Sequence, residues 1–169
     1  MEWTDEQKQR VSEEMQKWKG LPHLDRRAIK GTGIDCVHLL FEGLFASGLV
    51  ERRKIPAYRP RWGLVSRCNL MAEALSRILH VERHAVTEPP RFGDLIIWKS
   101  GKQSNHCGIL AHDDHRNLVC WHVLKGGKVH AAPLKTTVPK AQEIVRVARE
   151  GWRIDPPDKL KLKDLRNEW

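Results

Sequence analysis

The chain has no long hydrophobic run, and this absence excludes a membrane-spanning helix. No stretch of about 18 apolar residues, the length that a span needs, occurs in its 169 residues. The N-terminal residues Met1–Glu6 also lack the apolar core of a secretory signal. We therefore expect synthesis in the cytoplasm without a signal peptide, so that action at a cell wall would depend on phage-mediated or secretion-mediated delivery.

The four cysteines lack the spacing of common metal and redox motifs. No two of Cys36, Cys68, Cys107 and Cys120 form a C-x-x-C pair, which argues against a zinc ribbon or a thioredoxin-like motif. Three of them lie in apolar or strand-like surroundings, where a thiol behaves as a small hydrophobic side chain. We predict four free thiols.

Internal repeats and low-complexity linkers are absent as well, which predicts one domain over residues 1–169. Acidic residues are few beside basic ones: 21 Asp and Glu face 30 Lys and Arg, giving a net charge of +9. Such a charge favours nucleic acid, anionic lipid or an anionic wall polymer as partner. The basic residues are spread along the chain rather than massed in one tract, which argues against nucleic acid.

The first half of the chain has helical periodicity. Thr4–Gln7 fits a capping box, apolar side chains follow at positions 11, 15 and 18, and Gly20 ends this helix. The pattern predicts two further helices over residues 35–47 and 64–80, and loops over 21–33 and 49–63.

The second half changes to strand-like periodicity. Five short runs rich in Val, Ile, Leu and Trp are separated by turn signals, at residues 94–98, 107–111, 118–122, 128–131 and 143–148. A helical half followed by adjacent strands predicts an α+β fold with an antiparallel sheet. Residues 156–169 are predicted to be a tail that frays or forms one short helix.

A cysteine at a helix start is the first candidate catalytic residue. Cys36 follows Gly33 and Asp35 and begins the predicted second helix, where unpaired N–H groups and the helix dipole stabilise a thiolate. Gly31 and Gly33 allow a sharp turn and leave room for a substrate carbonyl. Asp35 is predicted to cap its own helix. The alternative is that Cys36 is only the first core residue of the helix.

A histidine on a predicted strand is the matching candidate base. His106 precedes the run 107–111, and Gly108 leaves space on the sheet face that His106 shares. A third group should orient the base, and His122 is our choice because it ends the next strand. His130 stays open as an alternative, whereas His112 and His115 flank a charged turn.

An oxyanion needs hydrogen-bond donors, and the backbone N–H of Cys36 is the natural one. His23, in the loop before the nucleophile, is the candidate for a second donor. The tryptophans fit core or half-core positions better than a substrate groove; they are Trp62, Trp98, Trp121 and Trp152.

Taken in order, these motifs resemble the NlpC/P60 family of cell-wall cysteine peptidases, a branch of the papain-like fold. The resemblance covers about residues 15–148 and is closest to the phage and prophage branch. It is carried by five segments: Gly20–His23, Lys30–Leu40, Arg91–Ile96, Asn105–Leu110 and Cys120–His122.

The resemblance implies a nucleophile helix packed on a mostly antiparallel sheet of five to six strands. It implies Cys36 as nucleophile, His106 as base and His122 as orienting residue, with no metal. From the residues themselves, His23, Asp35 and Gly33 are further candidates near the substrate or the oxyanion, and no cofactor is expected. Two departures stand out: His38 replaces a usual Gly, where it could crowd the helix or add charge, and His23 replaces a usual Tyr.

The implied reaction is hydrolysis of an amide in the peptide stem of peptidoglycan, commonly next to D-glutamate and a diamino acid, through a thioester. The expected protein is a monomer, with phage tail or other delivery proteins as further partners. Two alternatives remain: a papain-like hydrolase or acyltransferase on another amide or acyl substrate, and a catalytically inactive basic binding domain.

Overall fold

The computed structural model describes residues 1–55, 70–100 and 103–154. Trp62, Cys68, the predicted tail 156–169 and most of the loop 49–63 lie outside these residues, as does the start of the predicted helix 64–80. The helices are α1 (Asp5–Trp18), α2 (Cys36–Ser47), α3 (Leu70–Ile78) and α4 (Leu134–Thr137). The strands are β1 (Ala28–Ile29), β2 (Gly33–Ile34), β3 (Leu79–His84), β4 (Leu95–Ser100), β5 (Gln103–His112), β6 (Leu118–His122), β7 (His130–Pro133) and β8 (Ala141–Trp152).

One six-stranded sheet, in the order β3-β8-β4-β5-β6-β7, forms the centre of the described chain. Every neighbouring pair is antiparallel, so the predicted α+β class and antiparallel sheet are confirmed. Strands β4 to β7 follow one another in sequence, as adjacent strands joined by tight turns do. The last strand, β8, instead returns to lie between β3 and β4.

The nucleophile helix is positioned by its apolar surface. The α-helical hydrogen bonding of α2 begins at Cys36. The helix buries side chains around most of its circumference, among them Leu40, Phe41 and Leu44. Gly43 lets α2 approach the sheet, because a Cβ there would lie 2.8 Å from the Cδ1 atom of Ile109 on β5. The N-terminus of α2 is thereby fixed above the strand that carries His106.

The predicted loop 21–33 contains more regular structure than its sequence indicated. β1 and β2 form a short hairpin in which the left-handed Gly31 (φ 77°) allows the turn. Pro22 and His23 then bridge to Lys128 and Ile34 respectively, so this segment is tied to both the hairpin and the β6–β7 connection.

Several boundaries predicted from the sequence were wrong. Residues 79–80 were assigned to a helix but begin β3, a strand with only partial apolar alternation. β7 begins at His130 rather than at residue 128, and β8 extends to Trp152 because β3 pairs along its length. A short helix, α4, and a 3₁₀ turn over Val138–Lys140 were missed. None of the helices in the described ranges is long and apolar enough to cross a membrane.

Candidate active site

Cys36 is the first residue of α2, as the sequence predicted. Asp35 is the N-cap: its Oδ1 accepts a hydrogen bond from the backbone N–H of His38 at 2.8 Å. Its Oδ2 accepts a second bond, from the backbone N–H of Arg26 at 2.9 Å. The buried Asp35 therefore fastens the preceding loop to the helix start and holds the half-buried Cys36 in place.

Two residues of β5 act on the Cys36 thiol. Hydrogen bonding from the Cys107 thiol is the largest influence and lowers the pKa of Cys36 well below its ordinary value, although burial opposes it. A hydrogen bond with His106 and the charge of that ring lower the pKa further, while the charge of Asp35 raises it. The hydrogen bond to Cys36, together with burial, raises the pKa of Cys107. Cys36 is thus the more acidic thiol of the pair.

The other nitrogen of His106 meets a second histidine. Nε2 of His106 lies 2.9 Å from Nδ1 of the buried His122. Burial, with the nearby charges of His106 and His130, lowers the pKa of His122 to about 3. His122 is consequently neutral near pH 7, and its Nδ1 can accept a hydrogen bond from the Nε2–H of His106.

His130, the alternative orienting residue, does not contact His106 in this way. Its ring lies on the far side of His122 at a centroid distance of 4.3 Å, and its Nδ1 donates to the Lys128 carbonyl. His112 contacts the Phe92 ring, and the exposed His115 lies in the turn that follows β5. Of the histidines that the sequence left open, His122 is the one bonded to His106.

Gly108 serves a different purpose from the one predicted. A Cβ on it would lie 2.7 Å from Sγ of Cys120, 2.8 Å from the Trp121 carbonyl and 3.1 Å from Cβ of His122. The space beside His106 is therefore filled by β6 and is closed to substrate. The glycine instead allows the His122 ring to lie along β5 towards His106.

Two residues beside the candidate site, Cys107 and Trp98, were not predicted from the sequence to lie there. Cys107 was treated as a core thiol, yet it touches Cys36; its position directly after His106 was the only signal. Trp98 is opposite His106 on β4, with ring centroids 4.7 Å apart, and 5.3 Å separate it from His122. Trp121 is a core residue and Trp152 is half-buried, in agreement with the predicted core or half-core positions, and Trp152 stacks on Phe41.

Gly33 and His23 lie close to Cys36 in the fold but with other contacts than expected. The space beside Gly33 is taken by the chain itself, because a Cβ there would lie 2.5 Å from the Pro22 carbonyl. It therefore leaves no room for a substrate carbonyl. The half-buried His23 pairs through its backbone with Ile34, which brings it beside the nucleophile turn.

His38 does not crowd the first turn of α2. Its Nδ1 lies 2.8 Å from Oδ1 of Asp35, and the ring lines a cavity of about 660 Å³ on the outer side of the helix. Five cationic residues line the same cavity: Arg26, Arg27, Arg52, Arg53 and Lys54. Basic residues that are scattered in sequence are thus gathered here.

Among known proteins, the fold resembles that of a solved structure. No protein-family model matches the chain, and no curated protein matches it. The chain is similar to a crystal structure from Staphylococcus aureus, described as similar to lipoprotein, NLP/P60 family. The TM-score is 0.54 at 18% identity, over 87% of this chain and 43% of that one.

This likeness concerns the fold alone, because the identity is so low. The chain spans less than half the length of the staphylococcal protein. The fold of an NlpC/P60 structure is nevertheless the one that the ordered motifs resembled. Cys36, Cys107 and Cys120 are free thiols, and within the described ranges no three His, Cys, Asp or Glu side chains are grouped to hold a metal ion.

Proposed function

We propose that the protein is a cysteine peptidase or amidase that hydrolyses an amide bond in peptidoglycan stem peptides. The observation that carries this proposal is the chain of contacts from the Cys36 thiol to His106 and from His106 to His122. A lowered thiol pKa at a helix N-terminus, next to an imidazole whose far nitrogen is held, is the arrangement that nucleophilic catalysis requires.

In the proposed reaction, neutral His122 accepts the Nε2–H of His106, which leaves Nδ1 of His106 to take the proton of Cys36. The Cys36 sulfur attacks the amide carbonyl, and the helix N-terminus donates its backbone N–H to the developing oxyanion. His106 returns the proton to the leaving amine, forming a thioester. Water, deprotonated by His106, then hydrolyses the thioester and regenerates the thiol.

The choice of substrate is supported by the family likeness of the fold and by the basic surface. Peptidoglycan and its associated polymers carry negative charge, which a chain of net charge +9 would attract. Membership of the phage-borne branch, delivery by a phage tail or secretion system, and monomeric action at the cell wall belong to the same proposal. We also retain the proposal that residues 1–169 form a single catalytic domain.

The test is release of free amine from purified stem peptides. We expect Cys36→Ala and His106→Ala to lower kcat/KM by roughly 10³-fold or more, because each removes a group that bonds to the reacting atoms. His115→Ala is the matched control, since this exposed histidine lies in a turn remote from Cys36. Equal rates for wild type and Cys36→Ala would end the proposal. A parallel panel of acyl esters and isopeptides would reveal a different acyl substrate.

The cationic cavity beside α2 favours a second candidate function, the binding of an anionic ligand. Its acidic members, Asp25 and Glu42, are paired with Arg26 and Arg52, so the site retains excess positive charge. Salt-dependent binding of a polyanion by wild type, lost in Arg27→Glu with Lys54→Glu while Cys36→Ala binds normally, would support a binding role.

A further inference from the structure

Cys107 places a second thiol against the Cys36 thiol. Side chains alternate between the two faces of β5, so Cys107 shares a face with Ile109, and both belong to the core cluster against which Cys36 packs. Ile109 in turn lies against Gly43 of α2. The packing of α2 on β5 therefore holds the start of the helix over this part of the strand, and a hydrogen bond joins the two thiols.

Cys120, the other described cysteine, lies on the opposite face of the sheet. It is opposite Leu110 in the register of β5 and β6, and it packs in a second core cluster together with Ile96. Its sulfur borders the space beside Gly108. Within the described residues, Cys107 is therefore the one thiol placed to react with Cys36.

The two thiols differ in exposure and in acidity. Cys36 is half-buried, whereas Cys107 has no exposed surface, so a small oxidant from solvent meets Cys36 first. The hydrogen bond from Cys107 lowers the pKa of Cys36, which favours the thiolate that oxidants attack. An accessible thiol of lowered pKa next to a second thiol is the arrangement of reversible oxidation sites in proteins.

We propose that Cys36 and Cys107 form an oxidation site in which Cys107 captures the oxidised Cys36 as a reversible disulfide. The oxidant is a hydroperoxide, such as hydrogen peroxide. This site goes beyond the proposed hydrolysis, which uses the Cys36 sulfur alone, and it does not depend on that reaction. A sulfur held in a disulfide is not a nucleophile, so oxidation also suspends the chemistry of Cys36 until the bond is reduced.

The oxidation consumes one hydrogen peroxide and two thiols. The Cys36 thiolate attacks one peroxide oxygen and the O–O bond breaks, which gives a sulfenic acid and a hydroxide that takes up a proton to form water. The Cys107 sulfur then attacks the Cys36 sulfur and the S–O bond breaks, so that the departing hydroxide leaves with the Cys107 proton as a second water. The electron pair that reduces the peroxide comes from the two sulfurs. A dithiol reverses the disulfide by thiol–disulfide exchange.

The test is oxidation of the purified full chain by hydrogen peroxide, followed by alkylation of the remaining thiols and peptide mapping without reductant. We expect peptides joined through Cys36 and Cys107, and an intact mass about 2 Da below that of the reduced protein. Dithiothreitol should then restore the alkylation of Cys36 almost completely.

Cys107→Ser removes the resolving thiol and keeps a hydroxyl of similar size. We expect peroxide to carry its Cys36 to the sulfinic acid, a gain of about 32 Da, and dithiothreitol to restore less than about one tenth of the alkylation seen in wild type. Cys120→Ala is the matched control, because it removes a buried thiol on the other face of the sheet and should behave as wild type does.

The mapping of wild type is decisive by itself, so the test does not depend on the folding of a variant. A wild-type Cys36 that ends as a sulfinic acid, or that is joined to Cys68 or Cys120, would overturn the oxidation site. Equal recovery in wild type and Cys107→Ser would overturn it as well. None of these measurements uses hydrolysis, so failure of the oxidation site leaves the proposed function standing, and failure of the hydrolysis assay leaves the oxidation site standing.

Discussion

At the scale of single residues, the ionisation of Cys36 depends on a neighbour that is itself a thiol. Hydrogen bonding from Cys107 exceeds the influence of His106 in lowering the pKa of Cys36, because a buried thiol donor in contact with sulfur stabilises the anion directly. Burial without such a partner acts in the opposite sense, as it does for Cys120, whose pKa is raised. Three thiols in one core are thus expected to differ widely in reactivity.

Alkylation by iodoacetamide measures this difference. We expect Cys36 to react faster than Cys107 and Cys120 near neutral pH, because its pKa is lowered while theirs are raised. Cys107→Ala should raise the pH midpoint of Cys36 alkylation, whereas Cys107→Ser, which keeps a donor, should raise it less. Cys120→Ala, the loss of a buried thiol that does not act on Cys36, is the control. A midpoint unchanged in Cys107→Ala would show that the neighbouring thiol has no such effect.

His122 makes stability depend on pH. Its pKa is about 3 in the folded protein and 6.5 ordinarily, so the unfolded chain binds more protons between these values. The contribution of His122 to the free energy of unfolding is therefore complete above about pH 6.5 and decreases as the pH falls towards 3. We expect the Tm of His122→Asn, whose Oδ1 can replace Nδ1 as acceptor, to decline less than that of wild type between pH 6.5 and 4. His115→Asn should decline as wild type does, and parallel curves for all three proteins would contradict the assignment.

At the scale of elements, the sequence predicted structure correctly where the hydrophobic periodicity agreed with a local signal such as a helix cap. The capping box at Thr4 and the Asp35 cap both form, and β4 to β6 lie at the residues that alternation indicated. β3 was missed because its residues, Leu79–His84, are strongly charged and derive their order from pairing with β8. That pairing spans about half of the chain, so no local pattern records it.

The close contact between β5 and β6 predicts that one methyl group added at Gly108 lowers the activity. Gly108→Ala would place a Cβ against Cys120, the Trp121 carbonyl and His122, so β6 must shift and carry the His122 ring with it. We expect a loss of about 10-fold or more in kcat with a small change in KM, because the orienting contact to His106 is loosened. Gly126→Ala, at a left-handed position with open space around it, tests strain without that contact. A Gly108→Ala enzyme with normal kcat would show that β6 need not be fixed.

At the scale of the whole molecule, the candidate site combines the two halves of the chain. The helix of the first half contributes Cys36, and the sheet of the second half contributes His106 and His122. Motif order was sufficient to pair them, because a helix-start cysteine and a strand histidine have complementary chemistry. The contributions of Cys107 and Trp98 could not be predicted, since they depend on strand register.

A buried ion pair lies where β8 returns between β3 and β4. Nε and a terminal nitrogen of Arg146 on β8 donate to the two oxygens of Asp94 at 2.7 and 2.8 Å, and Asp94 also accepts from the Arg91 backbone N–H. Asp94 is fully buried just before β4, and Arg146 is 8% exposed. The pair therefore joins the last strand to the strand that carries Trp98.

Removing Asp94 leaves the buried Arg146 with only the longer contacts to Glu88 at 3.8 Å and to the Pro89 carbonyl at 3.5 Å. Removing Arg146 leaves the carboxylate of Asp94 buried without its cation. We expect Asp94→Ala to lower the free energy of unfolding by about 3–5 kcal/mol, and Asp94→Leu with Arg146→Met to cost much less than the sum of the single changes. Lys19→Ala breaks the exposed pair with Asp114 and should cost less than about 1 kcal/mol. Urea unfolding of Asp94→Ala, of the single changes Asp94→Leu and Arg146→Met, of their double variant and of Lys19→Ala measures these differences. Additive costs for Asp94 and Arg146 would mean that β8 is held in place by its apolar contacts alone, with no coupling through the pair.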